Sequence, residues 1–281
     1  MLKMRVLTVA ALASLACASA ASTAAANPAE YQRFKVTLYG KAGTDKKPNA
    51  VRIVTNPFHE VEGSPPSFLE SPPFATVFAH IWWPKPSVVN TNILPGCAEK
   101  VILEDPDSCP KDSEVGEKGV AEGYARPVNA PVGVGTKVSL ENRIFVIKGV
   151  KDTIALRVKT PLTTAIMRAV TKKATGPMAK SYGLRTDFTI PIGLIQPAPG
   201  LVSQLSNFTG ILAKKTYRGQ AIFGLKKCPK NKKLTTAYQG EYNINLSTGD
   251  KGMGVTSAAN GGFSVNQKSE IVTSTSACKQ G

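Results

Sequence analysis

His59 and His80 are the only histidines in this 281-residue chain. A histidine-assisted nucleophile or a His-ligated metal would have to use one of them. His59 stands beside Glu60 in a proline-rich stretch, and His80 precedes Ile81-Trp82-Trp83 within an apolar run. Neither belongs to a recognisable catalytic pattern: Gly-x-Ser-x-Gly, His-Glu-x-x-His and a Walker loop are all missing, and Gly133-Val134-Gly135 lacks the third glycine of a dinucleotide site. Ser108-Cys109-Pro110-Lys111 spells Ser-x-x-Lys, but that chemistry needs both side chains one helical turn apart, and Pro110 opposes a helix there. Asp105-Pro106-Asp107 has too few ligands for a calcium loop. Both histidines therefore read as bystanders. No catalytic residue, metal ligand or cofactor is assigned, and the expected class is non-enzymatic.

The cysteines carry a stronger signal. Outside the first 26 residues there are four, Cys97, Cys109, Cys228 and Cys278, and an even number in an exported chain reads as two disulfides. Of three possible pairings, Cys97–Cys109 and Cys228–Cys278 keep each bridge local. In the chain-entropy picture they close loops worth about 3 and about 4 kcal/mol. Zinc is a poor alternative, because no Cys-x-x-Cys is present and the histidines are remote in sequence.

Charge is segregated. Residues 27–152 hold 15 basic and 15 acidic residues, and residues 241–281 hold three of each. Residues 153–240 hold 15 basic residues against one acid, Asp187. The densest part comprises Lys214, Lys215, Arg218, Lys226, Lys227, Lys230, Lys232 and Lys233, the candidate anion-binding residues. Such a segment attracts polyanions; lysines pointing outward from strands for solubility are the plainer reading.

The elements that must position these groups are short and β-patterned. Tyr31 to Tyr39 alternates with period two. Further strands are predicted over Ala50–Thr55, Ala75–Trp83, Ala98–Leu103, Val138–Val146, Thr153–Lys159, Leu184–Pro191, Phe208–Arg218, Leu234–Asn245 and Phe263–Ser274. Residues 56–73 read as an extended loop, and Thr163–Lys173 fits helix or strand. With 20 prolines and 24 glycines punctuating these runs, the expected fold is all-β, one or two β-sandwich lobes of Ig-like or jelly-roll-like form. The expected organisation is a signal peptide over 1–26, an N-terminal lobe over 27–126 and a basic C-terminal lobe over 127–281. Of Trp82 and Trp83, which face opposite ways on a strand, one is expected in the core and the other at an edge or as a stacking platform.

The leader sets the compartment. Lys3 and Arg5 precede the apolar stretch Val6–Ala16, and Ala24-Ala25-Ala26 forms a cleavage pattern before Asn27. The stretch is far short of the roughly 20 residues that span a bilayer. Cys17 follows Ser14-Leu15-Ala16, where Leu is one position too close for a lipid-attachment box. The expected location is secreted or cell-envelope associated, without an anchor.

Leu94-Pro95-Gly96-Cys97, followed after eleven residues by Cys109-Pro110-Lys111-Asp112-Ser113-Glu114-Val115-Gly116, resembles a family of uncharacterised secreted β-rich proteins of actinobacteria. Gly43-Thr44-Asp45-Lys46-Lys47-Pro48, Lys226-Lys227-Cys228-Pro229, Tyr238 and Cys278 extend the likeness over most of the mature chain, which departs from it at Glu117-Lys118-Gly119. The resemblance implies export, β structure and paired cysteines, and no catalytic residue. The expected function is a non-enzymatic envelope or extracellular protein whose basic lobe contacts an anionic wall polymer, an acidic polysaccharide or a membrane surface. The alternatives are a secreted hydrolase assembled in space and a nucleic-acid binder using Tyr217, Phe223 and Tyr238 among the lysines.

Overall fold

The computed structural model describes residues 31–60, 75–127, 134–243, 265 and 267–281. The expected leader, Cys17 and Gly133 lie outside them, as do residues 61–73 of the expected loop. Within the described residues the chain is all-β, with large antiparallel pairings and only short helices.

Alternation in the sequence becomes alternation of burial. In β1 (Tyr31–Tyr39), Gln32, Phe34 and Val36 are buried while Arg33 and Lys35 are exposed. After the two-residue β2 (Asn49–Ala50), β3 (Arg52–Glu60) returns antiparallel along β1, with Pro57 opposite Phe34. The strand thus takes in Asn56–Glu60, which the prolines had suggested to be loop. β4 (Ala75–Pro84) is buried along nearly its whole length, and β5 (Ser87–Val89) follows Pro86.

Ala98–Leu103, expected as a strand, is instead a helix, α1 (Glu99–Glu104). Three consecutive apolar residues cannot separate the two periods. Glu99, Lys100 and Glu104 favour a helix, and only Ile102 is buried, packed with Phe145, Ile147 and Ala155. The 3-10 turns Pro106–Ser108 and Lys111–Ser113 follow, so Ser108 and Lys111 do not share a helix.

The rest of the chain supplies β6 (Gly116–Glu117), β7 (Gly119–Pro127), β8 (Thr136–Val146), β9 (Thr153–Lys159), β10 (Thr164–Lys173) and β11 (Tyr182–Thr189). A one-turn α2 (Ile192–Ile195) precedes β12 (Leu201–Phe208) and β13 (Gly210–Leu212). Then come β14 (Thr216–Tyr217), β15 (Gln220–Ala221), β16 (Phe223–Leu225), β17 (Lys233–Asn243), β18 (Gln267–Lys268) and β19 (Val272–Ala277). The ambiguous Thr163–Lys173 is a strand because β9 and β11 pair with it on both sides. The expected strand Phe208–Arg218 is broken into shorter pieces, since it bends from the main sheet into a hairpin.

One sheet runs β17–β4–β11–β10–β9–β8–β7–β12–β3, with β1 beyond β3 and β19 beyond β17. It curls until these outer strands meet. Ser274 Oγ accepts the Val36 N–H at 2.9 Å, and Ser276 Oγ donates to the Val36 carbonyl at 2.8 Å. Side chains of β19 thus satisfy a backbone unit of β1 that no strand pairs on that side. The opposing halves of the curled sheet face each other across one core holding Phe34, Ile81, Trp83, Leu156, Phe208 and Tyr238. Strands from both sides of residue 126 pair within this sheet and feed this core. A small sheet, β2–β16–β5, lies across one end, with Phe223 and Leu225 of β16 buried in the same core.

Both disulfides form in the expected pairing, Cys97–Cys109 and Cys228–Cys278, with Cα separations of 5.5 and 5.7 Å. The first ties the α1 segment to the core beside Phe145. Gly96 is what lets Cys97 reach it. Its φ of +65° is left-handed, and a Cβ there would lie 2.7 Å from the Lys148 backbone. Cys97 N–H then bonds the Val146 carbonyl, and Lys148 N–H bonds the Cys97 carbonyl. Arg143 braces the same loop, donating to both Glu114 oxygens at 2.7 and 2.8 Å and to Asp107 at 2.7 Å.

Candidate functional site

The eight candidate anion-binding residues fall into two groups. Lys214, Lys215 and Arg218 precede β16. There Lys215 is committed to the Glu114 carbonyl at 2.9 Å, and the Arg218 guanidinium lies 5.3 Å above the Tyr217 ring. Lys226, Lys227, Lys230, Lys232 and Lys233 follow β16 and border the Cys228–Cys278 bridge.

The structure adds lysines to this second group that sequence proximity did not. Ala42 N–H bonds the Lys279 carbonyl at 2.7 Å, and Gly43 N–H bonds the Leu225 carbonyl at 3.0 Å. Gln280 reaches both sides, its Oε1 accepting Cys228 N–H and its Nε2 donating to the Gly43 carbonyl. These bonds carry Lys41, Lys46, Lys47 and Lys279 to the bridge where Lys226–Lys233 already stand. Lys227 pairs with Asp45 at 2.8 Å; among the described residues the other eight lysines have no ion-pair partner. The only sequence hint of this convergence was that residues 41–47 carry their own lysine cluster.

A second constellation occupies the outer face of β17–β4–β11. His80 lies between two carboxylates, Nδ1 2.7 Å from Asp187 and Nε2 3.4 Å from Glu241. Asp187 also meets Lys172 at 2.6 Å and Arg185 at 2.5 Å, and Glu241 meets Lys268 at 2.5 Å. Burial alone would raise the Asp187 carboxyl. The hydrogen bonds from His80, Arg185 and Lys172 outweigh it and hold the group well below the usual carboxylate range. The one acid of the basic segment is therefore an electrostatic hub. With a carboxylate at each ring nitrogen, His80 has none directed at a nucleophile's proton.

His59 is elsewhere and closed. It is buried, its Nδ1–H donates to the Leu205 carbonyl at 3.1 Å, and its ring meets Tyr242 edge-on at 5.8 Å. Because a carbonyl can only accept, the proton sits on Nδ1, and Nε2 is a buried lone pair without a partner. Burial lowers its pKa to about 4.

The remaining sequence candidates are structural. Trp83 faces the core and donates to Thr186 Oγ1 at 2.8 Å. Trp82 faces the opposite way but is also buried, under Tyr182, Ala237, Ala174 and Met178, so it offers no stacking platform. Phe223 and Tyr238 are core residues and cannot stack on bases. Asp107 is taken by Arg143, and Asp105 accepts the Ser108 hydroxyl. Among the described residues no cluster of His, Cys, Asp or Glu could hold a metal, and no helix is long and apolar enough to cross a membrane.

Behind these surfaces lies a cavity of about 100 Å³ inside the curled sheet, lined by Ile53, Ile81, Leu156, Met167, Phe208 and Phe223 among others. It was invisible to sequence reading, because each lining residue has the signature of an ordinary inward-facing strand position. A scan of protein-family models and searches of curated proteins and of solved structures found nothing that matches this chain.

Proposed function

We propose that the protein is an exported, non-enzymatic binding protein whose lysine-rich end holds an anionic polymer of the cell envelope or its surroundings. The observation that carries this reading is the meeting of Lys41, Lys46, Lys47 and Lys279 with Lys226, Lys227, Lys230, Lys232 and Lys233 around the Cys228–Cys278 bridge. Lysines placed outward for solubility would have no reason to converge from three remote segments. The two disulfides suit an oxidising compartment. A hydrolase gains no support from the histidines, since His80 is bracketed by carboxylates and His59 is buried.

Single surface ion pairs contribute about 0–1 kcal/mol. Affinity must come from several lysines acting on one repeating anion, and salt must weaken it, because the Debye length at physiological salt is about 8 Å. The test is retention of the mature protein on a phosphate-bearing resin and on envelope fractions along a salt gradient. Changing Lys226, Lys227, Lys230 and Lys232 together to Glu should abolish retention with the melting temperature nearly unchanged. Changing Lys41, Lys46 and Lys47 to Glu should weaken it too, despite their distance in sequence. Retention that survives both sets of changes and molar salt sinks the proposal.

A further inference from the structure

The cavity inside the curled sheet makes a different demand from the lysines. Close-packed interiors leave few voids larger than a water molecule, yet this one measures about 100 Å³. An engineered apolar cavity of about 150 Å³ in another protein stays dry and takes up benzene or xenon. The space is therefore on the scale of one small ring or short chain.

Its walls define the chemistry. The residues named above offer carbon. The polar groups among the lining are mostly occupied with one another: Thr186 Oγ1 accepts from Trp83 and shares a 2.9 Å hydrogen bond with Thr171, and Thr55 donates to the Gly210 carbonyl at 3.2 Å. The exposed wall is mostly carbon, which favours a hydrocarbon occupant over water.

The hydroxyls of Thr76, Ser87 and Tyr238 are not so engaged, and Tyr238 is the most buried of the three residues. It lines the cavity, it is buried, and its ring stacks on Phe34 at 5.2 Å. No described residue hydrogen-bonds its hydroxyl. Burial pushes the phenol up, so it stays an O–H donor. A hydroxyl that no protein group engages keeps its donor capacity, and an acceptor brought in by a ligand would use it.

Ser87, Val88 and Val89 of β5 line the cavity yet remain half-buried, and β5 is held by only three residue pairs to β16.

We infer that this cavity is a binding site for a small uncharged lipophile carrying one hydrogen-bond acceptor, the hydrocarbon filling the space and the Tyr238 hydroxyl donating to the acceptor. The site does not use the lysine-rich end, so it stands or falls independently of polymer binding.

Cyclohexanone and cyclohexane are suitable probes, titrated into the folded mature protein while its amide resonances are followed by NMR. Saturable shifts centred on the cavity-lining residues are expected, with cyclohexanone bound roughly five- to tenfold more tightly, the size of one net hydrogen bond. Tyr238→Phe should bring the two affinities together. Ala79→Leu, which adds carbon at a lining position, should abolish binding of both while the spectrum stays folded. If that variant does not fold, Ile81→Phe poses the same question. No saturable binding of either probe, or binding that survives the filling substitution, overturns the site. Equal affinities for the two probes in the unmodified protein overturn the role of Tyr238, and with it the acceptor-bearing class of ligand.

Discussion

Acid should destabilise this protein in two separable pH windows, and the first belongs to His59. In the unfolded chain the imidazole takes up a proton near its ordinary value of 6.5, whereas burial holds the folded value at about 4. Between those two pH values the unfolded state binds the proton and the folded state does not, so stability falls as pH falls through this window and is fully present above it. The gap corresponds to about 3 kcal/mol, a large share of the 5–15 kcal/mol typical of a domain. The structure gives the cause: with Nδ1–H already on the Leu205 carbonyl, protonation would place a positive charge on a buried Nε2 that nothing accepts from. The assay is urea unfolding at intervals from pH 7 to pH 4, on the unmodified protein and on His59→Asn. The asparagine amide can still donate to Leu205 but does not titrate. The variant should lack the loss seen in the unmodified protein, so that the two stability curves converge as pH falls. Parallel curves over the whole range would refute the reasoning. The second window lies lower. The depressed Asp187 carboxyl contributes stability that is present above its ordinary value of 3.8 and is lost as pH falls further through the folded value.

Gly123→Ala should be strongly destabilising, because a Cβ there would lie 2.6 Å from the Gln204 carbonyl oxygen and force β7 away from β12; thermal unfolding reads the loss directly. Replacing both members of either disulfide by Ala should cost about 2–5 kcal/mol, measured by denaturant unfolding, and peptide mapping without reduction should return Cys97–Cys109 and Cys228–Cys278 as the only cross-links. N-terminal sequencing of exported material should begin at Asn27; a lipid-modified Cys17 in first place would contradict the leader reading.

What the sequence determined by itself were the features encoded within short windows. Period-two alternation marks β1, because side-chain direction on a strand depends only on position parity, and short strand-forming runs mark β8, β9 and β17. The cysteine pairing was legible because each bridge is local and the alternatives would join remote segments. Where windows are compositionally ambiguous, tertiary contacts decided. β7 was missed because it carries two poor strand formers, Gly119, needed where the Thr209 carbonyl and the Asn142 side chain approach, and Gly123, needed to let β12 approach. The Ala98–Leu103 run became a helix because burying Ile102 against Phe145 uses one face only. Three things belong to the tertiary structure alone: the meeting of β19 with β1 through Ser274 and Ser276, the gathering of nine lysines from residues 41–47, 226–233 and 279, and the cavity beside Tyr238. Each depends on how far the sheet curls before its outer strands touch. That curvature is set by the summed twist of many strands and by no single stretch of sequence.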